Sequence, residues 1–487
     1  MNIGRCSGIL LHVTSLPGRF GIGDLGPESR NFVDYLVAAG QKLWCVLPLG
    51  PTGPMNSPYQ CRAAFAGNPL LLCPESLVDQ GYISKRELGA PPAFPASHVN
   101  FTAVRKFKER LLRKAHQGFS ADRDYAKFEQ RNREWLEPYA IFTSLQEANG
   151  GVCWTKFDPK IKPSEESIRF HKFVQYEFSR QWQALHQYCR KNNTSIMGDM
   201  PFYVEHDSVD VWSNRKSFDL RDDGEPRTVG GVPPDYFSRD GQLWGNPTYN
   251  WDKLKKDGFR WWIERFRVSF ERVDLLRLDH FRGFEAFWRV QAGSRTARKG
   301  RWVKTPGLPL FETVRKKLGS LPFVAENLGI ITPQVEAMRR RFEFPGMAVL
   351  QFGFDETGMH RPNNYVRELI SFTGTHDNDT TNGWWHTLQR DVRKRGHAAE
   401  RASLERVRAY LQQDGKQIHW PFIQAVETSV AGVAIIPMQD VLGLGSEGRM
   451  NLPGRAKGNW DWRLQKQQMR REDAKRLFEL AQVSGRA

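Results

Sequence analysis

Cysteine is scarce in this chain, and no two thiols are spaced to act together. The six residues, Cys6, Cys45, Cys61, Cys73, Cys153 and Cys189, form no CxxC pair and have no companion histidine at zinc spacing, so neither a metal centre nor a redox motif is indicated. Reduced thiols in a cytoplasmic protein are the plainer reading. Long apolar runs are also missing: no window reaches the roughly 18 residues of a membrane-spanning helix, and the run in MNIGRCSGILLH is too short for a signal peptide. No DxDxDG calcium loop occurs, although scattered oxygen ligands would leave no such pattern. Internal repeats, low-complexity tracts and linkers that would mark a separable binding module are absent. The expectation is a cytoplasmic protein with no cofactor and no membrane partner.

Positive charge, in contrast, is abundant. The formal net charge of +17 invites a nucleic-acid reading. The basic residues, however, recur in helix-like stretches at 106 to 116, 390 to 408 and 470 to 476, interleaved with Glu and Asp. Solvated helix faces explain that pattern better, and no specific nucleic-acid partner is expected. The 16 tryptophans are plentiful; they fill cores, but flat aromatic surface also suits sugar rings.

Eight short apolar runs stand out, most of them ending in polar or glycine-containing turns: 8 to 16, 43 to 50, 195 to 204, 275 to 281, 323 to 329, 347 to 354, 369 to 377 and 433 to 443. Runs with little alternation suit strands covered on both faces, and eight is the number of a (β/α)8 TIM barrel. Helical patterns lie between them, such as FVDYLVAAG with Phe32, Val33, Leu36 and Val37 on one face. Thr332 and Pro333 offer an N-cap and a first-turn proline ahead of QVEAMRRRF, and RLQKQQMRREDAKRLFELAQV reads as a last outer helix. At 487 residues the chain exceeds one barrel of about 250, which leaves room for insertions at the C-terminal face of the strands. We place them at approximately 75–190, mostly helical, and 205–273, within a single catalytic unit.

Three acids stand where such runs give way to loops: Asp279 in LLRLDHF, Glu326 in FVAENLG and Asp377 in SFTGTHD. Side chains at the C-terminal ends of barrel strands converge on one mouth, so the three carboxylates can share a cleft. Cleavage or transfer at a glycosidic bond needs one carboxylate as nucleophile and another as acid then base, about 5 Å apart in the retaining mode. Arg277 lies two residues before Asp279, on the same face of a strand, and would keep that aspartate ionised. The apolar surroundings of Glu326 would raise its pKa toward that of a proton donor. His376 beside Asp377 suits adjacent sugar hydroxyls, and Asp199 is a fourth acid at a strand end. Taken singly, each acid has a plainer alternative as a helix cap or loop support.

Several segments carry a resemblance. RLDHFRGFEAFW, AENLG, TGTHDNDT and GDMPFYV are similar to signature regions of glycoside hydrolase family 77, the 4-alpha-glucanotransferases called amylomaltase or disproportionating enzyme. The likeness extends to ILLHVTSLPGRFGIGDLG, NSPYQCRAAFAGNP, GGVPPDYFSRDGQLWGNPTYNW and MQDVLGLGSEGRMNLPG. It implies Asp279 as nucleophile, Glu326 as general acid and base, and Asp377 as transition-state stabiliser. His376, Arg277, Asp199, Tyr59, Ser57 and Phe352 would complete the subsite. The loop 230–251 resembles the family's lid, with Tyr236, Phe237, Gln242 and Trp244 facing the glucan; on residues alone it reads equally as a proline-glycine surface loop. The implied activity is retaining transfer of an α-1,4-glucan segment to the 4-hydroxyl of an acceptor glucan or glucose. A hydrolase of the α-amylase kind is the alternative, and a non-catalytic glucan-binding or basic scaffold protein is a more distant one. Asn327 departs from the family pattern, where a second acid is common, and so do the basic Arg455 and Lys457.

Overall fold

The computed structural model describes residues 4–487 except 235–238, 395, 414, 416 and 456. Its centre is a sheet of eight strands: β1 (Cys6–Leu10), β2 (Leu43–Cys45), β3 (Ser195–Met200), β4 (Leu275–Leu278), β5 (Phe323–Ala325), β6 (Gly346–Val349), β7 (Leu369–Phe372) and β8 (Val433–Pro437). Neighbours pair in parallel, in the order β6-β7-β8-β1-β2-β3-β4-β5. The two ends meet where the Ala325 N–H donates to the Pro345 carbonyl at 2.8 Å. Each of the eight apolar runs supplies one strand, and the result is a (β/α)8 barrel. The strands lack alternation because both faces are covered: β1, β4, β6 and β8 are buried at every position.

Helices flank the barrel where the apolar spacing places them, with local differences. Pro27–Ala38 buries Phe32, Val33 and Leu36, but Val37 points outward and is exposed. Pro333–Arg341 begins at its proline as expected, yet Thr332 at the cap position makes no capping bond; among the described residues its buried hydroxyl has no partner. Proline at the first helical position has no N–H to satisfy, which lowers the demand for a cap. The last helix spans Arg471–Val483, because the preceding segment turns as a short 3-10 helix at Lys466–Gln468. The basic stretch 390 to 408 is divided between Thr381–Lys394 and Ala398–Leu411, with Gly396 in a left-handed conformation between them.

Between β2 and β3 stand the helices Phe101–Gly118, Arg123–Ala148 and Glu165–Lys191. The last of these buries Phe170, Phe173, Val174, Phe178, Trp182 and Leu185 on one stripe. Around β4 lies a four-stranded antiparallel sheet in the order Gln242–Pro247, Thr228–Val232, Ala286–Gln291, Gly300–Lys304. The sequence gives little warning of this sheet, since TVGGV and QLWGNP are broken by glycine and proline and lack alternation. Much of the tryptophan is core: Trp44, Trp182, Trp262 and Trp385 are among the largest fully buried side chains.

Candidate active site

The site is built on the register of β3, β4 and β5. Asp199 pairs with Arg277 and Met200 with Leu278, while Leu278 pairs with Ala325 on the other side. The ladder continues one residue past both strand ends: the Asp279 N–H donates to the Met200 carbonyl and the Glu326 N–H to the Leu278 carbonyl, each at 3.1 Å. Asp279 and Glu326 therefore stand side by side on strands about 4.8 Å apart. Arg277 Nη1 bridges two carboxylates, lying 2.6 Å from Asp199 Oδ2 and 2.9 Å from Asp279 Oδ1.

Immediately after Asp279 the backbone turns sharply. His280 adopts a left-handed conformation with φ of 50°, uncommon for a residue other than glycine and costing on the order of 1 kcal/mol. The turn aims the His280 N–H at Glu326 Oε2 (2.8 Å), and the Leu328 N–H reaches Oε1 (2.9 Å). Burial pushes the Glu326 carboxyl up to about 8; Arg277 and the two N–H donors oppose this, and the negative charge of Asp279 adds to it. Glu326 is therefore mostly protonated at neutral pH.

Asp377 lies in the loop after β7. Although burial pulls the other way, His376 beside it and Asn451 hold its carboxyl well below the usual carboxylate range. His376 Nε2 is 3.4 Å from Oδ2, Asn451 Nδ2 donates to Oδ1 at 2.7 Å, and Arg449 donates to the Asp377 main-chain carbonyl at 2.7 Å. The Tyr59 ring stacks on His376 with centroids 4.9 Å apart, and its hydroxyl donates to Asp199 Oδ2 at 2.7 Å. Ser57 accepts the Tyr59 N–H at 3.2 Å and so steadies that ring. A continuous chain of contacts thus runs from Asp377 through His376, Tyr59, Asp199 and Arg277 to Asp279.

The remaining expected residues are placed less centrally. Phe352 follows β6 in the turn Leu350–Phe354, with its ring 5.8 Å from that of His360. Gln242 is exposed and accepts from Trp244 Nε1 at 3.3 Å. Trp244 packs edge-on against His280 at 4.9 Å and on Tyr203 at 5.9 Å, so the strand Gln242–Pro247 reaches the residue that follows Asp279. Tyr236 and Phe237 lie outside the described residues. Asn327, in place of an acid, donates to Glu336 and accepts the Met347 N–H, tying the β5 loop to a helix and to β6.

Four residues that the sequence reading did not single out as site residues also belong to this region: His280, Arg449, Asn451 and Trp460. Trp460 lies 5.8 Å from both Tyr59 and His376, ring to ring. His280 was legible as the neighbour of Asp279, whereas nothing in chain spacing links residues 449 to 460 with His376 and Asp377. Behind His376, His12 is buried and its pKa is pushed down to about 3 by burial and by His376, so it stays neutral. Among the described residues no group of three or more His, Cys, Asp or Glu is placed to hold a metal ion, and no helix is long and apolar enough to cross a membrane.

An eight-stranded parallel barrel that gathers an arginine-paired aspartate and a buried glutamate at its rim has the architecture of enzymes whose active sites lie at the strand C-termini. The chain belongs to glycoside hydrolase family 77, whose sequence profile, described as 4-alpha-glucanotransferase, matches residues 11–469. It is 44% identical to the 4-alpha-glucanotransferase of Synechocystis sp. over 96% of this chain and 95% of that one. It is 43% identical to that of Thermus thermophilus over 100% of both. The amylomaltase of Streptococcus agalactiae, solved in complex with acarbose, superposes with a TM-score of 0.92 at 35% identity, covering 99% of this chain and 100% of that one.

Proposed function

We propose that this enzyme cuts an α-1,4-glucan, holds the donor segment covalently on Asp279 and passes it to the 4-hydroxyl of another glucan or of glucose. The observation that carries this reading is the pairing at the rim: Asp279 held by Arg277, next to Glu326 with its proton. A carboxylate of Asp279 attacks the anomeric carbon while the bond to the glycosidic oxygen breaks, and Glu326 gives its proton to that oxygen. Glu326, now ionised, takes the proton of the acceptor hydroxyl as that oxygen attacks the same carbon and Asp279 is released. Two inversions give net retention. Asp377 and His376, with Asp199, Arg277, Tyr59, Ser57 and Phe352, would grip the sugar at the cleavage point. The acarbose complex of the Streptococcus agalactiae relative supports a maltooligosaccharide-like ligand for this cleft.

Whether water or a sugar reaches the intermediate decides between transferase and hydrolase. Trp244, packed against His280, supports transfer, because an aromatic cover beside the nucleophile excludes water and offers stacking area to an acceptor. Gln242, and Tyr236 and Phe237 outside the described residues, would complete that lid. We also read the segments at approximately 75–190 and 205–273 as insertions that shape the cleft, and the protein as cytoplasmic. Incubation with maltotriose tests the proposal: glucose together with a ladder of longer maltooligosaccharides is expected. Glucose and maltose without elongation would establish the hydrolase alternative.

A further inference from the structure

Burial pushes all six thiols up, and in five of them it prevails. Cys6, Cys45, Cys61, Cys73 and Cys189 all lie above the ordinary thiol range for that reason. Cys153 is partly exposed, in a turn after the helix Arg123–Ala148, next to Gly150 and Gly151 with φ of 68° and 78° and to the exposed Val152. Its Sγ is 4.0 Å from Nδ1 of His206. His206 Nε2 faces the Gly224 carbonyl at 2.9 Å, which fixes a proton on Nε2 and leaves the Nδ1 lone pair for the thiol proton. Trp154 steadies the imidazole: its ring lies 5.4 Å away and its Nε1 donates to the His206 carbonyl at 2.8 Å. This is the arrangement of an activated nucleophile, a thiol facing a base that a third group orients.

The other polar groups around the sulfur leave His206 as its acid–base partner. Thr155 Oγ1 lies 3.5 Å from Sγ, but its single proton goes to Glu225 at the shorter distance of 2.9 Å. Asp207 accepts the Trp154 N–H at 3.2 Å, and Arg215 stacks over the Trp154 ring at 4.5 Å. Burial and the charge of Asp207 both work against ionisation of Cys153, yet contact with His206, together with the hydroxyl and main-chain N–H of Thr155, brings its pKa below the ordinary thiol value.

The loop that holds His206 also anchors the strand carrying Trp244. Asn246 Nδ2 donates to the Val204 carbonyl at 3.0 Å and to Glu205 Oε1 at 3.2 Å, and Tyr203 packs on Trp244. We propose that Cys153 and His206 form a thiol-exchange site for low-molecular-weight disulfides, and that a group attached there displaces His206 and Glu205 and so loosens the Trp244 strand. His206 Nδ1 takes the thiol proton, and the thiolate attacks one sulfur of the disulfide. The S–S bond breaks, and the second sulfur leaves and takes the proton from His206. A mixed disulfide and one free small thiol result.

The test uses the full-length protein with oxidised glutathione, read by intact mass and peptide mapping. Cys153 is expected to react at least about tenfold faster than Cys61, the other partly exposed thiol. Its rate should level off with rising pH below the range of a free thiol, about 8.5. The H206N variant should slow the reaction and restore an unassisted pH dependence, and C153S should abolish the fast phase. Faster labelling of Cys61, or a wild-type rate that rises through the free-thiol range without levelling, would overturn the site. Glutathionylated protein should show at least a twofold lower ratio of transfer to hydrolysis on maltotriose, reversed by a reductant and absent in C153S; an unchanged ratio would overturn the link to the strand. The labelling result does not depend on the transferase reading, which fails separately if unmodified protein elongates nothing.

Discussion

The protonated state of Glu326 can be tested without assuming its role. An ordinary glutamate with a pKa of about 4.5 is protonated in roughly one molecule in 300 at pH 7, whereas one at about 8 is protonated in about nine of ten. The donor population therefore differs by about 300-fold at neutral pH, and kcat/KM should fall about tenfold per pH unit above about 8. Stability carries the same signature. The native state holds a proton that the unfolded chain releases above about 4.5, so this group makes stability fall as pH rises from about 4.5 to about 8, by up to about 1.4 kcal/mol per pH unit. In Glu326→Gln that slope should vanish, while turnover of maltotriose drops by on the order of 10²- to 10⁴-fold. A maltosyl fluoride donor needs no proton on its leaving group, so the variant should still attack it. With no base to activate an acceptor it should then accumulate a covalent adduct, visible by intact mass, with the sugar on Asp279. Asp210 and Glu427, raised to about 6 and about 7, add slopes of the same sign, so denaturant titrations across this pH range would refute the reasoning if the variant's slope equalled that of the wild type, and so would full turnover of maltotriose.

Other expectations follow from single contacts. Tyr59→Phe removes one of two donors to Asp199 Oδ2 and leaves the other, Arg277, in place, so kcat/KM should fall on the order of tenfold with little change in the melting temperature; steady-state kinetics beside a thermal melt separates the two. Trp244→Ala removes the aromatic contact with His280, worth about 1 kcal/mol, and product analysis on maltotriose should show the hydrolysed share rise several-fold. Asn451→Ala takes a donor from Asp377, whose carboxyl should rise toward the ordinary range and carry the acid limb of the kcat profile to higher pH. Asp279→Asn should abolish turnover and move the stability midpoint of Glu326 below about 8, because one of the charges that raises it is gone.

Much of the barrel was legible because each strand is buried on both faces and so reads as an unbroken apolar run. The antiparallel sheet around β4 was not, since its outer strands are exposed: Gln242 and Leu243, and Gly300 through Trp302, face solvent and carry no apolar pattern. Asp199, Arg277, Asp279 and Glu326 could be placed together from the sequence because strand period and barrel geometry fix where strand-end side chains point. Asn451, Arg449 and Trp460 arrive from a loop whose path no local pattern dictates. Thr332 shows the converse failure, a residue with the right chemistry for a cap whose hydroxyl is not used.

Register joins these observations to the proposed chemistry. Had β4 slipped by one residue against β3 and β5, Leu278 would face the cleft, and Arg277 and Asp279 would turn away together from Asp199 and Glu326. In the observed register Arg277 touches Asp279, and the Asp279 charge is itself one of the causes that keep Glu326 protonated. Attack by Asp279 would convert that carboxylate to an uncharged ester in the same step in which Glu326 gives up its proton. The number of negative charges facing Arg277 then stays constant, and the electrostatic push that held the proton on Glu326 disappears. Burial alone would still favour reprotonation, but less strongly, with Arg277 and two backbone N–H groups now facing a lone carboxylate. Glu326 would thus be a stronger acid after the first step than before it, and it would remain ionised long enough to take the proton of an incoming sugar hydroxyl. In the proposed mechanism the change of Glu326 from acid to base would require no movement of the side chain, because the reaction at its neighbour would supply it.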